Sequence, residues 1–361
     1  MSNTLSRTAD EKINWVSSIP FLLFHAVALL AFFTGVPRRA VVLGAVLYVV
    51  RMFAITAGYH RYFAHRSYRT SRAMQFLLAF VGTTAVQQGP LWWAAHHRSH
   101  HRYSDIEGDI HSPQKGFWWS HVGWFLSDKY NETDFDAIKD LASFPELRFL
   151  DRFDLVGPWS LGILCFLVGG WSGVLIGFFA STVVLWHATF TINSLSHTFG
   201  TRRYATSDTS RNNPLLALLT LGEGWHNNHH HFQASARQGF FWWEFDISWC
   251  VLRVLGAFRL VRDLRQPSAT VMARDRIKNG AFDLGMFRAA WRRAGTAVTR
   301  SHATLSAPMS VATDALHARQ ATLEAVIHAK RVALEEAVSA SLQAAEELTR
   351  TTTRAARGVT T

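Results

Sequence analysis

Nine histidines fall in four short stretches of this chain: His60 and His65 in HRYFAH, His97, His100 and His101 in HRSHH, His197 at the end of NSLSH, and His226, His229 and His230 in HNNHH. In a helix, the spacing i, i+3, i+4 of residues 97, 100 and 101 places three imidazoles on one face of a single turn. One such cluster reads as a solvated polar face or a pH-sensitive patch. Four of them read differently, because neutral imidazole is the commonest nitrogen ligand for iron, zinc and copper. Nine ligands exceed the roughly four to six that one centre takes, so the count fits two metal ions. Cys165 and Cys250 are the only cysteines, which excludes a disulfide framework and a thiolate cage. The metals must bind nitrogen and oxygen.

Each stretch lies beside the end of an apolar segment, and those segments must position it. The 361 residues are 48% hydrophobic, with 14 Trp and 26 Phe, and the mean hydropathy of +0.04 hides strong segregation. Residues 18–36 carry no formal charge and approach the roughly 20 residues that cross a bilayer. A second apolar run, 40–58, is interrupted only by Arg51, which must face the protein interior or snorkel. Residues 155–197 are nearly uncharged and long enough for two helices around a bend at Gly169, Gly170 and Gly173. These readings predict an all-α integral membrane protein with four transmembrane helices at about 18–36, 40–58, 155–175 and 178–197. The organisation is a cytosolic N-terminal segment 1–17, a membrane domain 18–270 and a C-terminal tail 271–361. The N-terminus lacks the pattern of a removable signal peptide.

Two pairs of spans bring His60, His65 and His197 back to one side of the bilayer. The apolar segment 76–93 must then not cross, or His65 and His97 would be separated. Gln87, Gln88, Gly89 and Pro90 within it agree with a segment that packs inside the protein or dips into the membrane surface. The net charge of +11 comes partly from Arg61, Arg66, Arg69, Arg72, Arg98 and Arg102. Arginines beside spans mark a cytoplasmic face and attract anionic lipid or an acidic redox partner. No nucleic-acid-binding motif accompanies the charge.

The motifs HRYFAH, HRSHHRYSD, GFWWSHVGW, NSLSH and GEGWHNNHH, in this order and separation, resemble the membrane fatty-acyl desaturases of the stearoyl-CoA desaturase type, bacterial members included, over about residues 18–270. The resemblance implies four membrane helices topped by a cytosolic helical cap carrying the histidine boxes, with the active site on the cytoplasmic side of the inner membrane. It implies that His60, His65, His97, His100, His101, His197, His226, His229 and His230 hold two irons (Fe2+/Fe3+), that Asn193 reaches one through water, and that O2 is co-substrate. The implied reaction removes two hydrogens from a saturated acyl chain and leaves a cis double bond, at the ninth carbon (delta-9).

The chemistry agrees with such a site. Aliphatic C–H bonds carry no acidic proton, so a redox metal and an oxidant are needed. A methylene chain offers no polar handle, so a closed apolar tunnel must fix its position. Trp92, Trp93, Trp186 and Phe190 are candidates for its wall, set against ordinary helix packing for each. In animal acyl-CoA enzymes an Arg-Asp pair before the HxxHH box helps hold the head group; here those positions are Ala95 and His96, while Lys115 matches another basic head-group contact. Bacterial relatives acting on lipid-bound chains carry a Gln-Gly-Pro stretch resembling Gln88-Gly89-Pro90. Acyl-CoA and acyl-lipid therefore both stay open as substrate. No haem box, dinucleotide loop or iron–sulfur cysteine set is present, so a separate ferredoxin or cytochrome b5-like donor with its reductase must dock.

His25 and His187 read as hydrogen-bonded packing residues within spans, His96 and His231 as pointing off the ligand face, and His111 and His121 match family positions not usually counted as ligands. Asp105, Glu107 and Asp109 read either as acceptors that orient imidazoles or as a solvated acidic loop. The rival functions are a di-iron lipid or alkane hydroxylase and a metal-binding membrane transporter or sensor; transport needs polar groups at mid-membrane, whereas these histidines sit at span ends. In the tail, apolar residues recur at rough helical spacing over 311–354, which fits a surface-lying helix or a partly disordered appendage.

Overall fold

The computed structural model describes residues 5–33 and 35–282. The calls on the tail beyond 282, including the spacing over 311–354, lie outside these residues. The first helix, α1 (Ile19–Leu29), continues as a 3₁₀ turn, Leu30–Phe32. Helix α2 (Arg38–Phe53) starts after Pro37 and runs unbroken into a π-helical segment, Ala54–Ala64. Then come α3 (Arg72–Thr83), capped by Ser71, and α4 (Pro90–Tyr103), opened by a proline whose missing N–H costs nothing in a first turn. Short helices α5 (Lys139–Ala142) and α6 (Pro145–Arg152) precede α7 (Val156–Ser172), a π-helical segment Gly173–Ala180, and α8 (Ser181–Ser194). The remaining helices are α9 (Pro214–Leu219), α10 (His226–His231), α11 (Ile247–Ala257) and α12 (Ala269–Ala273). Among the described residues the only sheet has two antiparallel strands, Arg69–Thr70 and Val261–Arg262.

Two continuous helices have the length and apolarity to cross a membrane, Arg38–Ala64 with 27 residues and Val156–Ser194 with 39. At 1.5 Å per residue the second would reach about 58 Å if straight, nearly twice a ~30 Å hydrocarbon core. It is folded in two at Gly170, whose φ of 58° and ψ of −150° suit only glycine. A Cβ on Gly173 would stand 2.2 Å from the Cys165 carbonyl oxygen, and one on Gly162 would stand 3.9 Å from Phe178, so the arms run back along each other. The expected bend is therefore at Gly170, and no break separates 175 from 178, where the π-helical segment continues. The first expected span is shorter than predicted: an 11-residue helix plus a 3-residue 3₁₀ turn.

Large apolar side chains, among them Leu23, Val46, Leu167, Trp171 and Val184, point outward on these helices and are exposed, as for helices that face lipid. Arg51 points inward and is 1% exposed. Its guanidinium donates to the Leu47 and Thr84 carbonyls and to the Thr182 and Ser181 hydroxyls at 2.5–3.3 Å, which satisfies a cation at membrane depth by hydrogen bonds instead of by a counter-ion. The segment 76–93 does not form one long helix. It breaks after Thr83, passes through Val86 and Gln88 at positive φ, and restarts at Pro90. Gly82 rests against the Tyr59 ring, where any Cβ would clash.

The segment 271–282 falls in the expected tail, yet it is docked on the preceding chain. Ala205 N–H donates to Asp275 O and Ile277 N–H to Arg203 O at 2.8 Å, and the Trp243 indole donates to Gly280 O at 3.0 Å. Apolar periodicity could not reveal this, because the docking is made by backbone groups.

If the hairpin depends on close approach at Gly173, Gly173→Val will lower stability by about 1–3 kcal/mol, while Gly162→Ala, which meets only ordinary van der Waals contact, will be near neutral. Thermal unfolding of the detergent-solubilised variants checks both.

Candidate metal centre and cavity

All nine histidines converge in two adjoining groups. His60, His65, His97, His101 and His229 form one, and His100, His197, His226 and His230 the other; within each, the ring nitrogens lie within 4.8 Å of one another. Local winding explains the first. In an α-helix, residues 60 and 65 would point well apart, but the chain here is π-helical and the His65 amide donates to the His60 carbonyl at 3.1 Å, an i to i+5 bond. That turn brings the two rings to 4.8 Å between centroids. On α4, His97 and His101 join the first group while His100 joins the second; on α10, His229 joins the first and His226 and His230 the second. The expectation that 97, 100 and 101 serve one face is thus refined, since each HxxHH turn divides its ligands between two centres.

The nitrogen positions fit a metal better than they fit hydrogen bonds. In the first group the Nε2 atoms of neighbouring rings are 2.9–3.0 Å apart along the path His60, His229, His101, His97, His65. His229, His101 and His97 thus have two Nε2 neighbours each, yet a ring nitrogen offers one in-plane proton or one lone pair. Lone pairs aimed at a shared cation satisfy this arrangement, since adjacent ligands at about 2.1 Å from a metal stand about 3 Å apart. In the second group, His197 and His226 approach through Nε2 at 3.0 Å, and the buried Nε2 atoms of His100 and His230 have no protein partner.

Carboxylates fix the rings from behind. Glu223 lies 2.5 Å from His60 Nδ1, Asp109 3.0 Å from His100 Nδ1, Asp105 3.0 Å from His197 Nδ1 and Asp208 2.8 Å from His230 Nδ1. Each acceptor holds the proton on Nδ1 and leaves Nε2 bare for a metal. Burial raises the Asp105, Asp109 and Asp208 carboxyls, but their hydrogen bonds and the histidines they face outweigh it, so all three lie below the usual range. Burial pushes the His97, His101, His226 and His229 imidazoles well below their ordinary value, and neighbouring rings add to this. His230 is pushed down to about 4 by burial. For His100, Asp109 overcomes burial and raises it.

A cavity of about 310 Å³ opens onto both groups through His60, His97, His100 and His226. Its wall includes Trp92, Trp93, Trp186, Phe190, Gln88 and Asn193, all proposed from sequence, together with Phe21, Phe24 and Phe125. Trp93 stacks on His97 at 4.8 Å between centroids, so the wall and the ligand set are one packed unit. Gln87 and Thr189, neither proposed from sequence, also line the cavity and are joined by a 2.9 Å hydrogen bond between the α3–α4 turn and α8. Lys115 lies in a separate polar pocket, its ammonium 2.7 Å from Glu11 and 3.1 Å from the Asp109 carbonyl. His96 donates through its ring to the Trp92 carbonyl at 2.8 Å.

Sequence reasoning missed Asp208 and Glu223 as imidazole acceptors. Asp208 sits in a polar loop with no periodicity, and Glu223 was seen only as part of Gly-Glu-Gly-Trp. Of the acidic loop, Asp105 and Asp109 face imidazoles, whereas Glu107 lines the separate polar pocket. The expected basic patch is smaller than its arginine count. Arg61 is 1% exposed and bonded to Glu223 and Asp246, Arg98 is committed to Asp140 and to the Phe63, Ala64 and Ala137 carbonyls, and Arg72 pairs with Glu146.

A family model described as fatty acid desaturase matches residues 37–255, a stretch that contains all nine histidines of the two groups. The chain is 39% identical over 265 residues to the sn-1 stearoyl-lipid 9-desaturase of Anabaena variabilis, which covers 73% of this chain and 97% of that one. It is 37% identical over 266 residues to the sn-2 palmitoyl-lipid 9-desaturase of Nostoc sp., covering 71% and 92%. With the acyl-CoA 5-desaturase AL21 of Anemone leveillei it shares 37% identity over 241 residues, covering 66% and 75%.

Two outcomes follow from the carboxylate pairs and the buried rings. Asp208→Asn removes the anion behind His230 and will lower metal affinity about 10–100-fold, read by chelator competition on the metal-loaded protein. In the chelator-stripped protein, the depressed histidines remain neutral while the unfolded chain takes up protons near pH 6.5. Stability therefore falls as pH drops below about 6.5, by roughly 1.4 kcal/mol per histidine per pH unit, and for His230 the loss ends near 4. A lower melting temperature at pH 5.5 than at 7.5 is expected.

Proposed function

Because this chain belongs to the fatty acid desaturase family, and so is a membrane-associated oxidoreductase, we propose that it converts a saturated acyl chain of a membrane glycerolipid into the cis-9 monoene at a di-iron centre. The observation that carries this reading is the direct opening of an aromatic-walled cavity onto two adjoining, buried histidine groups. Two irons would be held by His60, His65, His97, His101 and His229 on one side and by His100, His197, His226 and His230 on the other, with Asn193 reaching one of them through water. Bound there with O2, they supply the oxidising power that unactivated C–H bonds require. The balance is O2, two electrons, two protons and the saturated chain, giving the alkene and two waters.

The protein's own residues do the rest. Glu223, Asp109, Asp105 and Asp208 keep four ligand rings in one tautomer and orientation. Trp93, Trp186, Phe190, Phe21 and Phe24 exclude water and confine the methylene chain, while the Gln87–Thr189 bond crosses from one wall to another. For the acyl carrier, the names of the relatives differ, so the argument rests on residues. Ala95 and His96 replace the Arg-Asp pair, and Lys115 is already paired with Glu11, which leaves these positions without a free cation for the phosphates of coenzyme A. Gln88 lines the cavity. Both points favour a lipid-bound chain.

We place the active site on the cytoplasmic side of the inner membrane, under a cap carried by four membrane helices: α1 with its 3₁₀ turn, Arg38–Ala64, and the two arms on either side of Gly170. The electron donor is a separate ferredoxin or a cytochrome b5-like protein with its reductase. The exposed Arg69, Arg253, Arg259 and Arg262 around the small sheet offer an acidic donor its landing surface.

Expression in a host lacking desaturases, with fatty-acid and lipid-class analysis, will yield a cis-9 monoene esterified in glycerolipid. His97→Ala and His226→Ala will each lower it by more than about a hundredfold, since removing a ligand exceeds the effect of removing its support. A hydroxylated chain, or turnover of acyl-CoA by the purified protein with none on phospholipid vesicles, contradicts the reading.

A further inference from the structure

Three histidines outside the metal groups form a hydrogen-bonded chain across three elements. His25 on α1 meets His187 on α8 through their Nε2 atoms at 2.9 Å, and His187 Nδ1 meets Nε2 of His121, in the π-helical turn Trp119–Gly123, at 3.0 Å. Both ends are tied to oxygen: His25 Nδ1 is 2.8 Å from the Phe21 carbonyl and His121 Nδ1 is 3.0 Å from the Ser194 hydroxyl. A carbonyl only accepts, so with neutral rings Phe21 sets the donor sense of the two contacts between histidines. His25 donates to it, His187 donates through Nε2 to His25, and His121 donates through Nε2 to His187, while the single Ser194 hydroxyl proton is shared between the Phe190 carbonyl, also at 3.0 Å, and His121 Nδ1. Burial, followed by the nearby His187, pushes His121 down to about 4, so its ring is neutral near pH 7. Among the described residues no other side-chain hydrogen bond joins α1 to α8.

The same three elements carry one wall of the cavity. Phe21 of α1 stacks on Trp186 of α8 at 5.3 Å between centroids and meets Phe125, just past the π turn, at 5.5 Å. Phe125 meets Phe190 of α8 at 4.9 Å. Each clamp ring touches this wall: His25 lies 4.6 Å from Phe21, His187 5.9 Å and His121 5.7 Å from Phe190. Ring packing alone is only weakly directional and lets neighbouring elements slide, whereas hydrogen bonds fix distance and angle.

We propose that His25, His187 and His121 form a clamp that fixes the spacing of these walls and so determines which methylene pair, and which chain length, is presented to the metal centre. They are positioning residues and touch neither substrate nor metal. The proposal rests on the cavity being the acyl site.

The test uses the full-length protein expressed in a desaturase-free host, fed saturated chains of different length, with double-bond position and chain-length distribution read by mass spectrometry and metal content measured in parallel. His187→Leu, which can neither donate nor accept, is expected to keep its metal while the ratio of preferred to minor products falls about tenfold, the scale on which one methylene is discriminated. His187→Gln, which does both, is expected to restore much of the ratio. His25→Phe, at the half-buried end of the chain, decides the matter if His187→Leu does not accumulate. A metal-loaded His187→Leu or His25→Phe protein with the wild-type product distribution overturns the clamp, as does failure of both to fold with no rescue by Gln. Phe190→Ala separates the two readings: altered products there but not in the clamp variants reject the clamp alone, and unaltered products in all of them reject the cavity as acyl site.

Discussion

Nine imidazoles packed into two adjoining groups cannot all carry charge, and those that are to bind a cation must turn a bare nitrogen inward; this constraint organises the rest of the site. A buried imidazolium among eight others would meet both desolvation and like-charge repulsion. A neutral ring with its proton on the inward nitrogen would be useless as a ligand. The fold resolves the choice at four rings by placing a carboxylate on Nδ1: Glu223, Asp109, Asp105 and Asp208. These acids are themselves held by further donors. Asp105 accepts from the Thr209 amide and hydroxyl, and Asp109 from the Asp105 amide. Glu223 is bonded to Arg61, which also grips Asp246, the cap of α11. The tautomer requirement is thus passed outward from the ligands into the loops and to the start of another helix.

The second constraint is angular. Ligands for two centres must leave a helix in two directions, and 3.6 residues per turn does not supply every angle. On α4 and α10 the regular helix suffices, because i and i+4 go to one centre and the third residue to the other. At His60 and His65 it does not, and the backbone winds as a π-helix through Ala54–Ala64. π-Helical turns are uncommon and concentrate at functional sites; here the turn is what closes the five-residue gap. The glycines act in the same sense at larger scale. Gly170 reverses a 39-residue apolar helix, and Gly173 lets the returning arm lie directly on the Cys165 carbonyl.

These features divide what the sequence made legible from what it did not. The histidine boxes stood out because nine residues of one rare type were gathered at span ends. The inward Arg51 followed from the cost of charge in lipid, and the break in 76–93, which keeps it from forming one long helix, agrees with the need to keep His65 and His97 together. The carboxylate partners were only half visible. Asp105 and Asp109 lie a few residues from a box, whereas Asp208 and Glu223 reach their rings through tertiary folding of loops that carry no period. Arg61 shows the converse failure, since beside a span it counts as surface charge, yet it is buried by two acids more than 160 residues away. The docking of 271–282 was illegible because backbone groups of that segment make most of it, and His25 and His187 looked unrelated because only the packing of α1 on α8 brings them together.

Charge accounts for the place of the acids, which lie in loops and turns outside the two long apolar helices. Imidazole brings no negative charge, so two divalent ions held by the nine histidines would add four positive charges to the site, and uncompensated charge there is very costly. The four acids behind His60, His100, His197 and His230 carry four negative charges one ring away, while Asp246 answers Arg61 separately. Carboxylates within the hydrocarbon would be expensive before a metal arrived. The cavity that opens onto both groups has aromatic walls and polar cross-bracing, which includes Gln87 with Thr189, the Trp186 indole with the Ala85 and Val86 carbonyls, and the histidine chain.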